Sequence, residues 1–236
     1  MTRVICYVDG LNLYYGLKHR QWRNYPWLDI PKLARDILAS VAAHDTLIAT
    51  KYFTAPMLGD PGRASRQSVY LDALSSEPTL EVHKGTIRVT TVWCPNCGKP
   101  YAERHEKETD TGMAAEIIKD AFTDAFDGAL LITGDTDFSP VARIVKSHFP
   151  GKRVILARPP NRGPCDDLRK YCDQYIRIKA DRLSVCQYPN EVTTSKGFKV
   201  TRPPSFGWPQ SPNEMRNRHW LADDILSFGD WIAARV

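Results

Sequence analysis

Apolar residues in this chain come in short runs that end on glycine and acid. Val4-Ile5-Cys6-Tyr7-Val8 is one such run, suited to a strand buried on both faces, and Asp9-Gly10-Leu11-Asn12 follows at once. Leu130-Leu131-Ile132-Thr133 repeats the arrangement and runs into Gly134-Asp135-Thr136-Asp137-Phe138. Between these runs the apolar period becomes helical. Leu11 to Arg20 is predicted as a short helix, and Ile30 to Ala43 as a stronger one with Pro31 in its first turn. Gly62 to Ser75 carries Val69, Leu71 and Leu74, and Gly112 to Phe126 sets Met113, Ile117, Ala121 and Phe122 on one face. Phe138 to His148 and Asp166 to Cys172 also read as helices. Strands are predicted at Thr46 to Thr54, Gly128 to Thr133, Arg153 to Ala157 and Tyr175 to Ile178. Thr79 to Val92 reads as two short strands turning back near Lys84-Gly85, a hairpin.

Alternation of strand and helix predicts an α/β domain whose mainly parallel sheet is covered on both faces. Its expected extent is residues 1–186, with a hairpin and cysteine knuckle inserted at 83–105. After about residue 187 the pattern changes. Pro203-Pro204, Pro209 and Pro212 suggest a linker, and Trp220, Leu221, Ile225, Phe228, Trp231 and Ile232 follow at roughly helical spacing, so 187–236 is expected to be a Pro-rich linker with a short end segment. There are no internal repeats.

The two runs matter chemically because ligand sites in open α/β sheets lie beyond the carboxyl ends of the strands. Their acids can face each other only if the two strands are neighbours. Asp9, Asp110, Asp135 and Asp137 are the candidates, with Asp110 just ahead of the helix at 112–126 and Glu116 six residues further on. Clustered carboxylates repel unless a cation neutralises them, and an all-oxygen set suits Mg²⁺ or Mn²⁺. Taken one at a time, each aspartate has a plainer reading: Asp135 and Asp137 as helix caps, and Asp9 as part of a tight Asp-Gly turn.

Bulk composition narrows this little. Hydrophobic content of 42% is ordinary, and the net charge of +5 is a mild excess that favours a polyanionic partner without requiring one. No apolar run reaches the roughly 18 residues of a membrane span, and the strand beginning near residue 3 leaves no visible signal peptide. Six dispersed cysteines fit a cytoplasmic chain with free thiols.

Three segments together resemble the NYN domain, a branch of the PIN-like nuclease superfamily. They are Val8-Asp9-Gly10-Leu11-Asn12-Leu13, Glu106-Lys107-Glu108-Thr109-Asp110 leading into a helix, and Thr133-Gly134-Asp135-Thr136-Asp137-Phe138. The resemblance spans about residues 3–180. It implies a three-layer α/β/α fold (PIN-like) and a metal-dependent ribonuclease site. Asp9, Asp110, Asp135 and Asp137 would hold Mg or Mn, with Asn12, Thr133, Lys107 and Glu116 as accessory groups. Family members often carry Lys-Gly-x-Asp with an Asp six residues on; here Lys107-Glu108-Thr109-Asp110 and Glu116 stand in those places. The expected activity is endonucleolytic hydrolysis of single-stranded or structured RNA. The alternatives are an RNA-binding or regulatory module without turnover, and a phosphatase of the haloacid-dehalogenase type, whose nucleophile motif Asp135-Thr136-Asp137 mimics.

Cys94-Pro95-Asn96-Cys97-Gly98-Lys99 is half of a zinc site, for which His105 and His83 are candidate partners. A redox pair and two unmetallated thiols remain open as alternatives. Arg63, Arg66, Lys84, Arg88, Arg104, Lys107, Arg158, Arg162, Arg169 and Lys170 supply cations for RNA, and Tyr14, Tyr15, Trp22, Tyr25 and Trp27 supply rings on which bases could stack. The same charges also suit a solvated face, and the same rings a core. Oligomerisation is left open.

Overall fold

Asp29 accepts a hydrogen bond from the Lys32 backbone N–H, and Pro31 follows in the first turn; these two features start one of the longer helices of the molecule. Asp60 and Pro61 repeat the device one helix later. The computed structural model describes residues 2–18 and 24–204, with the backbone alone for Arg104. In chain order the elements are β1 (Thr2–Asp9), α1 (Gly10–Lys18), α2 (Ile30–Val41), β2 (Asp45–Thr54), α3 (Pro61–Leu74), β3 (Leu80–Lys84), β4 (Thr86–Trp93), β5 (Pro100–Lys107), α4 (Thr109–Phe122), β6 (Gly128–Ile132), α5 (Ser139–His148), β7 (Arg153–Arg158), α6 (Asp166–Arg169), β8 (Gln174–Arg177), α7 (Ala180–Val185), β9 (Glu191–Thr193) and β10 (Lys199–Thr201). A 3₁₀ turn, Thr136–Phe138, precedes α5.

Six strands form one parallel sheet in the order β3-β2-β1-β6-β7-β8. From β1 the chain builds outward to β2 and β3, then returns to the other side of β1 to lay down β6. The strand order therefore reverses between β1 and β6, and a doubly wound sheet opens its ligand crevice at such a point. The expected neighbour relation of the two acid-bearing runs holds, with Val4–Val8 in register with Gly128–Ile132.

Alternation along β1 divides the core. Ile5 and Tyr7 join Met113 and Ile117 of α4, Val141 and Val145 of α5, and Leu131 and Leu156 in one buried cluster. Val4, Cys6 and Val8 are buried on the other face, where α1 and α2 pack on β1 and β2. The molecule is the three-layer α/β/α sandwich expected from the alternating pattern.

Two expectations are corrected. Lys84-Gly85 is not a hairpin turn. β3 stays in the main sheet, parallel to β2, while β4 leaves it to pair antiparallel with β5. The inserted ribbon is thus 86–107 rather than 83–105, and the knuckle forms its tip. Nor does the folded body stop at 186. Leu28 bridges to Gln187, the Trp27 indole N–H donates to the Pro189 carbonyl (2.8 Å), and β9 pairs with β10 in a body that continues to Pro203. The expected helical segment Trp220 to Val236 and the prolines at 209 and 212 lie outside the described residues. Among the described residues no helix is long and apolar enough to cross a membrane.

Candidate active site at the end of the sheet

Asp9 is the last residue of β1 and is only 4% exposed. Both of its oxygens are engaged. The Asn12 backbone N–H donates to Oδ1 (2.9 Å), and the Thr133 hydroxyl, just past β6, donates to Oδ2 (3.0 Å). The same Thr133 oxygen accepts the Asp135 N–H (3.1 Å), and the Asn12 side-chain oxygen accepts the Gly134 N–H (3.0 Å). Asp9, Asn12 and Thr133 therefore form one closed network that ties the β1–α1 turn to the loop after β6. The side chain of Arg162 crosses directly over Gly134, whose missing Cβ would lie 2.8 Å from the Arg162 Cβ. Arg158, at the end of β7, donates to the Arg162 and Gly163 carbonyls and holds this loop in place.

Burial is the main force on the Asp9 carboxyl and lifts its pKa to about 7. The Asn12 and Thr133 hydrogen bonds favour the anion, while the charges of Asp110 and Asp135 add to the upward push. This mutual repulsion puts the Asp110 and Asp135 carboxylates within electrostatic reach of Asp9. Asp135 is half-buried and also caps the 3₁₀ turn, its Oδ1 accepting the Asp137 N–H at 3.0 Å, so it both caps and belongs to the acidic group. Standing three residues beyond β6, it does not hold the strand-end position of a haloacid-dehalogenase nucleophile. Asp137 and Asp110 are exposed. Among the described residues no three His, Cys, Asp or Glu side chains lie close enough together to hold an ion between them.

Asp110 reaches the site from the first turn of α4. Glu108 immediately precedes this helix with φ +76°, the left-handed region that glycine occupies most readily. The helix begins at Thr109, earlier than expected, and this decides Glu116. Six residues on is about 600° of rotation, so Glu116 points roughly 120° away from Asp110. Its carboxylate meets Lys51 Nζ (2.7 Å) and Lys119 instead of joining the Asp9 group. Although burial presses the other way, the two lysines bring the Glu116 pKa down to about 2.

Lys51 is the residue that pattern reading passed over. It sits inside β2, 7% exposed, and its ammonium also contacts Asp120 (2.6 Å), which accepts the Tyr7 hydroxyl (2.7 Å). Burial opposes its charge, but Asp120 and Glu116 hold its pKa above the normal lysine value. The only hint in the sequence was a lysine set among the apolar positions of a strand.

Lys107 closes β5 beside this region and lines a shallow recess with Thr86, Arg88, Glu108 and Thr111. Of the expected stacking rings, Tyr14 and Tyr15 are on the surface of α1, edge to face at 5.3 Å, and Tyr25 is half-buried. Trp27 is core, packed against Tyr70 and Tyr188, and Trp22 lies outside the described residues.

The expected zinc set is not assembled. His105 pairs across the ribbon with Arg88, five pairs from the Trp93–Pro100 pair at the tip, a separation of ~17 Å at strand spacing. His83 belongs to β3 in the main sheet and stacks on Phe53 (4.6 Å). Neither imidazole reaches Cys94 or Cys97.

Comparison with known proteins places this geometry. Over 91% of its length the chain is 28% identical to 6-hydroxy-3-succinoylpyridine 3-monooxygenase HspA of Pseudomonas putida, and the match covers 78% of that protein. A crystal structure of a protein of unknown function from Vibrio parahaemolyticus superposes with a TM-score of 0.48 at 18% identity, over 76% of this chain and 94% of that one. The NYN domain family matches residues 3–179, the span that holds the whole sheet and every carboxylate of the acidic group. A strand-end aspartate locked to the loop of the neighbouring strand, in a chain matched over three-quarters of its length, makes this protein a member of the NYN domain family, with its nuclease-like fold.

Proposed function

We propose that this protein is a divalent-metal-dependent endoribonuclease, and that the acidic group at the β1–β6 reversal is its active site. The observation that carries the reading is Asp9, a buried strand-end carboxylate pushed up to about 7 with the charges of Asp110 and Asp135 directed at it. Such a group suits a cation, which would relieve the repulsion among its carboxylates. Mg²⁺ usually binds through one or two carboxylates and keeps several waters, so three convergent side chains are not needed. Asp9 and Asp135 would hold the ion, with the exposed Asp110 and Asp137 meeting it through its waters. A bound ion supplies Lewis acidity toward a phosphodiester and hydroxide at neutral pH.

The chain's own residues do the rest. Thr133 and Asn12 fix the Asp9 oxygens, and the Gly134 N–H fixes Asn12. Arg158, Arg162 and Lys107 flank the acids with positive charge, which draws in a polyanion that the carboxylates alone would repel. Free thiols at all six cysteines support a cytoplasmic setting.

The test is cleavage of a labelled structured RNA with Mn²⁺ or Mg²⁺ against EDTA. Cleavage with metal, absent in EDTA, is expected. Asp135→Asn should fold normally and lose roughly two orders of magnitude or more in rate, the scale of removing one fixed charge-stabilising group. RNA binding without turnover, unaffected by EDTA, would make the protein a binding module. The named relative raises one further reading, hydroxylation of a pyridine. Consumption of 6-hydroxy-3-succinoylpyridine with O₂ and an electron donor, beside inert RNA, would move the assignment there.

A further inference from the structure

The β4–β5 ribbon holds eight cross-strand pairs, from Thr86–Lys107 to Trp93–Pro100, and leaves a six-residue turn, 94–99. That turn is built around a sulfur. The Cys94 N–H donates to the Lys99 carbonyl and the Gly98 N–H to the Cys94 carbonyl, each at 2.9 Å. Gly98 takes φ +65°, which lets the chain reverse after Cys97. The backbone N–H groups of Asn96 and Cys97 point at the Cys94 sulfur, and the two cysteine side chains touch. Both thiols are free, and Cys97 is exposed. This is a two-ligand knuckle already shaped for a thiophilic cation.

Structural zinc takes four ligands in a closed tetrahedron. The described chain offers no other pair. Cys6, Cys165 and Cys186 are buried in the body, and Cys172 is directed at the Leu168 carbonyl. His105 and His83 are remote, as their register shows.

We infer that Cys94 and Cys97 are half of a tetrathiolate zinc centre completed by Cys94 and Cys97 of a second copy of this chain, joining two ribbons tip to tip. A two-fold axis through the ion needs only one knuckle per copy, the self-complementary arrangement usual for dimers. Four thiolates around Zn²⁺ carry a net charge of −2, and one Lys99 from each copy stands beside the centre to offset it. Each thiol gives up its proton as the ion binds, so four protons leave per zinc. The surface next to the turn fits the same occupant: Trp93, in the last pair before the turn, is 65% exposed, a large ring that a second tip would cover. The ribbon base runs through Lys107 and Glu108 into Asp110, so the clamp would also steady the segment that leads to the acidic group.

The test uses the full chain, reduced and stripped of metal, titrated with Co²⁺ while its mass is followed by light scattering. The intense visible bands of tetrahedral cobalt thiolate are expected to saturate at one ion per two chains, with a doubling of mass, whatever further ion the acidic group takes up. Cys94→Ser with Cys97→Ser should lose the ion and the dimer while leaving the melting temperature of the body unchanged. Thiolate bands that saturate at one ion per monomer, no thiolate bands from the reduced chain, or a dimer that survives both the double substitution and chelation would each overturn the assignment. None of these readouts depends on catalysis.

Discussion

Asp9 carries an opposition between burial and charge that pH can expose. Its folded pKa of about 7 lies above the ordinary carboxylate value, so the folded protein holds this proton more tightly than the unfolded chain does. Stability from this group is therefore fully present below about pH 4 and is lost as pH rises to about 7. Glu116 and Asp127, both held down to about 2 by lysine and arginine, act at the acid end and in the opposite sense. In EDTA, the melting temperature of the wild type should fall between pH 5 and pH 8 relative to that of Asp9→Asn. At pH 8, Mg²⁺ or Mn²⁺ should raise the wild type and not the variant; equal shifts in both would remove Asp9 from any ion site. The approach of Asp9 and Asp135 was legible because two apolar runs that each end near an acid suggested neighbouring strands, whereas either aspartate alone reads as a cap or a turn. Glu116 was misplaced because its direction depends on whether α4 begins at 109 or 112, and helix starts are the least certain part of a pattern. The left-handed Glu108 carries no sequence signal of its own.

At the scale of elements, α4 is attached to the sheet by charge as well as by apolar contact. Met113, Ile117 and Ala121 supply the buried stripe, and Lys51 reaches up from β2 to Glu116 and Asp120. Removing one partner of a buried ion pair costs about 3–5 kcal/mol, because the other charge is left buried and unpaired. Lys51→Met should accordingly lower the melting temperature by roughly 10 °C, and adding Asp120→Asn should recover part of the loss. A double variant no more stable than the single one would mean that the pair is not coupled. Pattern reading located both ends of this contact as elements and missed the contact itself, since residues 65 and 69 positions apart share no local period. The ribbon was misread for a related reason. Leu80–Lys84 and Thr86–Trp93 are both strand-like and separated by one glycine, which locally looks like a hairpin. The Gly85 N–H instead bonds to the Thr54 carbonyl, β3 has already found β2, and β4 must pair elsewhere.

The folded body is larger than the alternating pattern suggested, because residues 187–203 are held by Tyr188 packing on Trp27 and by β9 and β10, strands of three residues each that are too short to show a period. Tyr188 is 6% exposed and meets Trp27 at 6.0 Å between ring centres, and Trp27 is completely buried. Burying rings of this size is worth about 3–5 kcal/mol. A chain ending at Cys186 should melt roughly 10 °C below one ending at Pro203, with Trp27 fluorescence shifted to the red; equal melting temperatures would put the boundary back at 186. Proline-rich composition alone could not separate a docked segment from a linker, because both avoid regular periodicity.

The Thr133–Asp9 bond joins residues 124 positions apart, and the strands that carry them are adjacent only through parallel pairing. Closing so long a loop is slow compared with forming local helices. During synthesis, the first strand and its aspartate emerge more than a hundred residues ahead of their partner. The pocket thus cannot exist on a half-made chain, and on refolding it should ripen after most of the helical signal has returned.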